Sequence, residues 1–265
     1  MSQTTETTLA VESIVKEVLS AIDREREREI ISRRYGLFDR KETLEQIGEL
    51  LGITRERVRQ LEKSVMSKLV SQSKNDLPVI DEVDQAFTQE LQVRGRVQKI
   101  SDLSAVLTTN NSKIDQSRVA FLARLAPSIT YVNENDHYHS AAALATYYSE
   151  KSVKEQVGHV VAAIKKIGKP VSIQEVAGAM GHPEAKEVES LASVSKDLAT
   201  LNNRWGLIKW PMVNPKNIRD KIYVILYENG KQMHFNEIAE AISGSEFKRK
   251  DVTTQAIHNE LIKDK

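Results

Sequence analysis

Arg55, Glu56, Arg59 and Gln60 fall within the first two turns of one helical segment and carry the groups that read base-pair edges. An arginine can pair with guanine O6 and N7, a glutamine with adenine N6 and N7, and a glutamate can accept from cytosine N4. Each well-formed pair is worth about 1–3 kcal/mol of discrimination. Arg57, Lys63 and Lys68, with Thr54 at the segment's start, suit phosphate contacts, which add salt-dependent affinity but no sequence information. Five cations (Arg55, Arg57, Arg59, Lys63, Lys68) face only Glu56 and Glu62 here, a local charge of +3, while the whole chain sums to +1. The local asymmetry, not the total, focuses charge where a duplex would sit. An acidic stretch follows at Asp76, Asp81, Glu82 and Asp84.

The elements that must hold those side chains are legible from spacing. Thr43 precedes an apolar-periodic run and has Gln46 three positions on, the spacing of a capping box. Leu44, Ile47 and Leu51 recur at helical spacing, and Gly52 can take the left-handed backbone that ends a helix. Thr54 is a second N-cap, opening a helix with the apolar stripe Val58, Leu61, Val65 and Leu69. Two short helices around a glycine turn form the helix-turn-helix unit that sets its second helix into the major groove. An ordinary helical hairpin with a solvated charged face would need both caps, the glycine and the mixed reading face to coincide.

Residues Thr43 to Glu62 resemble region 4 of sigma-70 family factors almost letter for letter, against the signature T-L-E-E-I-G-x-x-L-G-V-T-R-E-R-V-R-Q-I-E. The stretch Asp23 to Leu37 is similar to the first half of that region, so the resemblance covers roughly residues 10–70. It implies that Arg55, Glu56 and Gln60 read a promoter −35 element and that Arg59 holds the backbone. It also implies a surface that docks on the flap of the RNA polymerase β subunit, for which Ile30, Ile31, Tyr35 and Leu37 are the candidates. Nothing upstream resembles region 2, so a stand-alone initiation factor is not the expected role.

The polar run Ser71 to Asp76, closed by Leu77-Pro78, is expected to be a linker. Beyond it, residues 160–180 and 222–242 align without a gap. Gly168-Lys169 matches Gly230-Lys231, and Glu175, Ala177 and Ala179 match Glu237, Ala239 and Ala241. Ser172 to Glu175 makes another capping box. A fainter copy runs through Ile100 to Leu107, followed by a hairpin expected from Ser128–Val132 and His137–His139 around Asn133 to Asp136. Trp205 to Trp210 is strand-like, its tryptophans expected to pack against a core. Helix, strand, helix, helix and hairpin is the order of a winged helix; a continuous helical array is the alternative.

The fold class expected is therefore mainly α, a helix-turn-helix domain followed by tandem winged-helix-like domains with small β-hairpins. The boundaries are 1–72, 79–150, 151–214 and 215–265. The last copy, with an apolar helix and then Asn229-Gly230-Lys231, Glu237-Ile238-Ala239 and Asn259-Glu260-Leu261, resembles the HARE-HTH family, whose winged helix occurs in the delta subunit of bacterial RNA polymerase. It stops at Lys265 before any wing, so this copy is expected to be truncated. Lys248, Arg249 and Lys250 make it a candidate second DNA contact.

Composition excludes several classes. With no cysteine there is no disulfide framework or thiolate site. The polar N-terminus is unlike a signal peptide, and no apolar run reaches the roughly 20 residues that span a bilayer. No phosphate-cradling, dinucleotide or HExxH motif is present, so neither enzyme activity nor a cofactor is expected. His137 and His139 share a strand face without a third ligand, which argues against a metal site. The expected setting is the bacterial or phage-infected cytoplasm, at the nucleoid.

Two functions fit. One is a sequence-specific transcription regulator reading a −35-like element in double-stranded DNA. The other is an accessory protein that binds core RNA polymerase at the β flap and modulates sigma factors. The sequence sets neither the target genes, nor activation against repression, nor the oligomeric state.

Overall fold

Capping boxes at Thr43, Ser112, Ser172 and His234 open four helices of the computed structural model, and left-handed glycines at 36, 52, 181 and 230 end four. The structure describes residues 8–73, 77–247 and 251–263. It divides into two compact units, residues 1–155 and 156–265.

The first unit opens with α1 (Val11–Ser20), α2 (Glu25–Tyr35), α3 (Leu44–Leu51) and α4 (Arg55–Gln72). It continues through α5 (Pro78–Val93), β1 (Val97–Lys99), α6 (Ile100–Leu107), α7 (Lys113–Ala123), β2 (Ile129–Val132) and β3 (Ala141–Leu144). The strands form one antiparallel sheet ordered β1-β3-β2, with Ala143 of β3 opposite both Val97 and Thr130.

The return strand of the hairpin differs from expectation. It is Ala141–Leu144, not His137–His139. All four residues of β3 are buried, as suits the central strand of a covered sheet. His137 and Tyr138 instead lie in the loop, their N–H groups donating to Asn135 Oδ1 at 2.9 Å each, an Asx-type turn.

The boundary expected between residues 72 and 79 does not separate two cores. One apolar cluster runs from Leu9, Val15, Val18, Ile31 and Leu37 through Val65 and Leu69 to Phe87, Leu103, Phe121, Leu122 and Leu144. The reason lies in α1 and α7. Helix α1 buries Val11, Ile14, Val15, Val18 and Leu19 along one face. Helix α7 buries every residue from Arg118 to Ala123, as a helix wrapped by neighbours must. Phe121 meets the ring of Tyr35 at 5.3 Å between centroids. Buried Arg118 ties the pieces together, donating to Leu37 O at 2.9 Å, Asp115 Oδ1 at 3.1 Å and Glu12 Oε2 at 2.7 Å. A charge taken from water is tolerated only with partners of this kind.

The second unit begins within α8 (Glu150–Ile167) and contains α9 (Ile173–Met180), α10 (Ala185–Val194), β4 (Leu198–Leu201) and β5 (Arg204–Leu207). Then follow α11 (Ile218–Asn229), α12 (Phe235–Gly244) and α13 (Thr254–Lys263). The aligned segments share backbone detail. Gly168 and Gly230 are both left-handed, and Ser172 and His234, each 62 positions apart from its match, open α9 and α12 with capping boxes to Glu175 and Glu237. The boundary expected at 214/215 is also crossed, because Leu201 and Val213 join the cluster of Ile222, Ile225, Ile238, Ile242 and Ile257. Trp205 is buried, and Trp210 lies over Gly206, where a Cβ would come within 2.7 Å of its ring.

Two outcomes follow from the shared core of the first unit. Phe121→Ala should cost about 3–5 kcal/mol, and hydrogen exchange should show α2 amides losing protection together with α7; protected α2 beside an open α7 would refute a common core. Burial, and next the Glu62 carboxylate, push the Tyr35 phenol up to about 12. The folded pKa is raised, so the contribution is complete below the unfolded value near 10 and is lost as pH rises toward about 12. Denaturant melts between pH 9 and 11.5 should show wild type losing up to about 2–3 kcal/mol more than Tyr35→Phe over that window.

Candidate nucleic-acid interface

The interface is built from α3, the turn and α4. Thr43 Oγ1 accepts from Gln46 N–H at 3.2 Å while Gln46 Oε1 accepts from Thr43 N–H at 2.9 Å, so the capping box is complete. Gly52 ends α3 with φ of 65°, and Thr54 Oγ1 caps α4 by accepting from Arg57 N–H at 3.2 Å. Ile47 and Val58 have no exposed area and pack on Ile30, with Leu44, Leu51, Ile53 and Leu61 around them.

Buried Val58 fixes which side chains face out. At about 100° per residue, Glu56 and Gln60 lie roughly 160° from Val58, with Lys63 near 140°. Arg57 and Arg59 lie on opposite flanks, each about 100° away. Thr54, Arg55, Glu56, Arg57, Arg59, Gln60, Lys63 and Lys68 are all exposed. Every residue assigned to base or backbone contact is therefore accessible, with Glu56 and Gln60 at the centre and arginines to either side.

These side chains also hold one another. Arg59 donates twice to Glu56, at 2.8 Å from Nε and 2.7 Å from Nη2, and Gln60 Nε2 reaches the same carboxylate at 3.3 Å. Arg57 Nη1 meets Gln60 Oε1 at 3.4 Å. The Arg59 hydrogen bond, above all, lowers the Glu56 pKa below its ordinary value, so Glu56 is an acceptor at neutral pH. The same pair raises the Arg59 pKa. Since the cluster is exposed, its internal bonds exchange readily with water or with a duplex.

Sequence spacing missed the partners that come from other elements. Glu45 of α3 lies 3.5 Å from Arg55 across the turn, Asp23 holds Lys68 at 2.8 Å, and Arg34 of α2 joins Glu62 of α4 at 3.3 Å. Arg26 of α2 donates to the Leu51 carbonyl at the end of α3. Gly48 was passed over too. Its carbonyl accepts from Ile53 N–H at 2.9 Å, and a Cβ on it would lie 2.7 Å from Ile53 O. A glycine inside an otherwise helical pattern was the available signal.

Of the candidate polymerase contacts, Ile30, Ile31 and Leu37 are buried and Tyr35 is partly so, packed against the large core. Ile30 serves the core under α3 and α4; Ile31, Leu37 and Tyr35 pack toward α7. The four thus form no exposed patch. Lys248, Arg249 and Lys250 lie outside the described residues. Among the described residues no group of acidic, histidine or cysteine side chains could hold a metal, and no helix is long and apolar enough to cross a membrane.

Residues 24–70 match the family model of sigma-70, region 4. The chain is 46% identical over 52 residues to RNA polymerase sigma factor sigB of Arabidopsis thaliana, which is 19% of this chain and 9% of that protein. It is 47% identical over 53 residues to RNA polymerase sigma factor SigA1 of Synechococcus elongatus, covering 20% and 13% of the two chains. The SigA of Synechocystis is 45% identical over 53 residues, covering 20% and 12%. The chain thus spans only about a tenth of the length of these relatives. No solved structure matches it.

Gly48→Ala tests the geometry of the turn. The added methyl must push α3 away from Ile53, with an expected cost of about 1–3 kcal/mol in chemical denaturation and weaker duplex binding. A variant of unchanged stability would show that the close approach imposes no constraint.

Proposed function

We propose that this chain is a sequence-specific double-stranded DNA-binding transcription regulator that reads a −35-like promoter element through α4. The observation that carries the reading is the fan of Arg55, Glu56, Arg59 and Gln60, exposed together at the start of a helix whose opposite side is anchored by Val58. The match of residues 24–70 to sigma-70 region 4 supports it, as do relatives named RNA polymerase sigma factors.

In this reading Arg55, Glu56 and Gln60 meet bases, and Thr54, Arg57, Arg59, Lys63 and Lys68 meet the backbone. The elements α5, β1, α6, α7, β2 and β3 run in the order of a winged helix and act as a second module behind the reader. The repeated segments of the second unit are winged-helix-like as well, the last akin to HARE-HTH. The protein is non-enzymatic and works in the bacterial or phage-infected cytoplasm at the nucleoid.

A polymerase-accessory role draws support from the relatives' names. A β-flap contact through Ile30, Ile31, Tyr35 and Leu37 would require those residues to leave their cores, so core polymerase would be met through other residues.

Selection of bound sequences from random duplex DNA, beside a pull-down with core RNA polymerase, separates the two. Gln60→Ala should relax preference at one base position by about 1–3 kcal/mol. Lys63→Ala should weaken all sequences alike and reduce the salt slope by about 1. Equal losses on every sequence for both variants, or no enrichment from the random pool, would reject direct readout.

A further inference from the structure

We propose that the cleft in the first unit where Arg40, Lys41 and Lys113 converge is a phosphoryl-binding site. The cleft holds about 750 Å³, within the range of small-molecule sites, and is walled by the loop after α2, the first turns of α6 and α7, and the loop before β3.

The charges lining it are unlike those around it. Arg33 is paired with Glu29 and Glu42, Arg34 with Glu62, and Arg118 with Glu12 and Asp115. Among the described residues, the side chains of Arg40, Lys41 and Lys113 make no hydrogen bond or ion pair within 4 Å, although the Glu134 carboxylate acts on Lys41 from the same cleft. Cations gathered in one concavity draw an anion toward it, and carboxylates beside them temper that pull. Asp39 and Glu134 also line the cleft, which leaves these five side chains with a net charge of +1 and sets a limit on how much anionic charge they can hold.

Lys41 is the best positioned of the three. Its stem lies over Gly36, the left-handed residue that ends α2, so closely that a Cβ there would come 2.7 Å from Lys41 Cγ. Lys41 is exposed to solvent at the cleft. Desolvation first, and the guanidinium of Arg124 second, lower its pKa below the ordinary lysine value. An anion in the cleft would reverse that shift. Ser101, in the first turn of α6, lies at the wall of the cleft, and α6 has no side-chain cap on its N-terminus. Phosphoryl oxygens are suited to these surroundings because they accept from several donors at once.

The phosphoryl group has two candidate sources: a free phosphorylated small molecule, or the backbone of a duplex engaged by the neighbouring reader. Calorimetric titration of the full chain with inorganic pyrophosphate at constant ionic strength tests the first. Wild type and Lys63→Ala should bind alike, and Lys41→Met and Lys113→Met should each lose about tenfold to a hundredfold in affinity. The methionine variants keep an apolar stem, and thermal melts confirm that they fold. Duplex titrations over a range of salt test the second. A reduced salt slope in Lys41→Met, with base preference intact, assigns the cleft to DNA phosphate. Pyrophosphate binding unaffected by either variant overturns the site, as does an equal loss in Lys63→Ala. So does the absence of pyrophosphate binding together with an unchanged salt slope. Base preference lost through Gln60 alone would bear on the reader and leave this site standing.

Discussion

The burial of Val58 against Ile47 and Ile30 is the constraint from which the rest of the reading surface follows. A helix offers no freedom to choose its faces independently: once one position is fixed inward, every other is placed by the 3.6-residue repeat. Glu56 and Gln60 are thereby sent outward, the arginines on either side take the flanks, and Arg55 is left close enough to α3 for Glu45 to meet it. The glycine at position 48 belongs to the same constraint, since α3 must come close to the turn for Ile47 and Val58 to share one pocket. Selectivity in such a site is a matter of orientation, and here orientation is set by three apolar side chains that can touch no base.

The anchor itself rests on a larger support. Helix α2 contributes Ile30 to the small core beneath α3 and α4, while its neighbour Ile31 joins the large core with Phe121. One helix thus faces two clusters with adjacent residues. Arg34 and Arg26 extend its hold to α4 and to the end of α3. The segment that ends at Gln72 and the segment that begins at Pro78 are accordingly one folding unit, joined through α2 and through Arg118.

Local features of the chain were legible because their causes are local. Thr43 with Gln46, Gly52, Thr54 and the stripe of Val58, Val65 and Leu69 each need only neighbours within a few residues, and each stands where spacing put it. Gly168 and Gly230 show the same for the repeated segments. What spacing could not supply was partnership across distance. Helix α7 buries residues all round, so it has no stripe to announce which neighbour it meets. The polar run before Pro78 looks like a linker by composition, yet nothing in composition says that α1 will find α5 and α7. The return strand of the hairpin was misplaced for a related reason: Ala141 to Leu144 alternates nothing, because both faces of a central strand are covered, whereas His137 to His139 has the polar alternation of a half-exposed one.

Charge shows the same limit most clearly. Counted along the chain, the segment after Thr54 has five cations and two carboxylates. Counted in space, Arg55 has Glu45, Arg59 has Glu56 and Lys68 has Asp23, two of those three partners lying outside the segment. Arg57 and Lys63 are the cations of this face without a carboxylate partner among the described residues. A surface of paired charges is weakly attractive at long range but rich in donors at contact, because an exposed ion pair is worth little and opens easily. In the proposed DNA-reading role the free cations would supply salt-dependent pull toward a phosphate backbone, and Arg55, Glu56 and Gln60 would meet bases only once their internal bonds open. In that role attraction and discrimination would fall to different side chains of one helix, and the carboxylate at Glu56, which would repel a backbone, sits at the centre of the face, where a base edge rather than a phosphate would meet it.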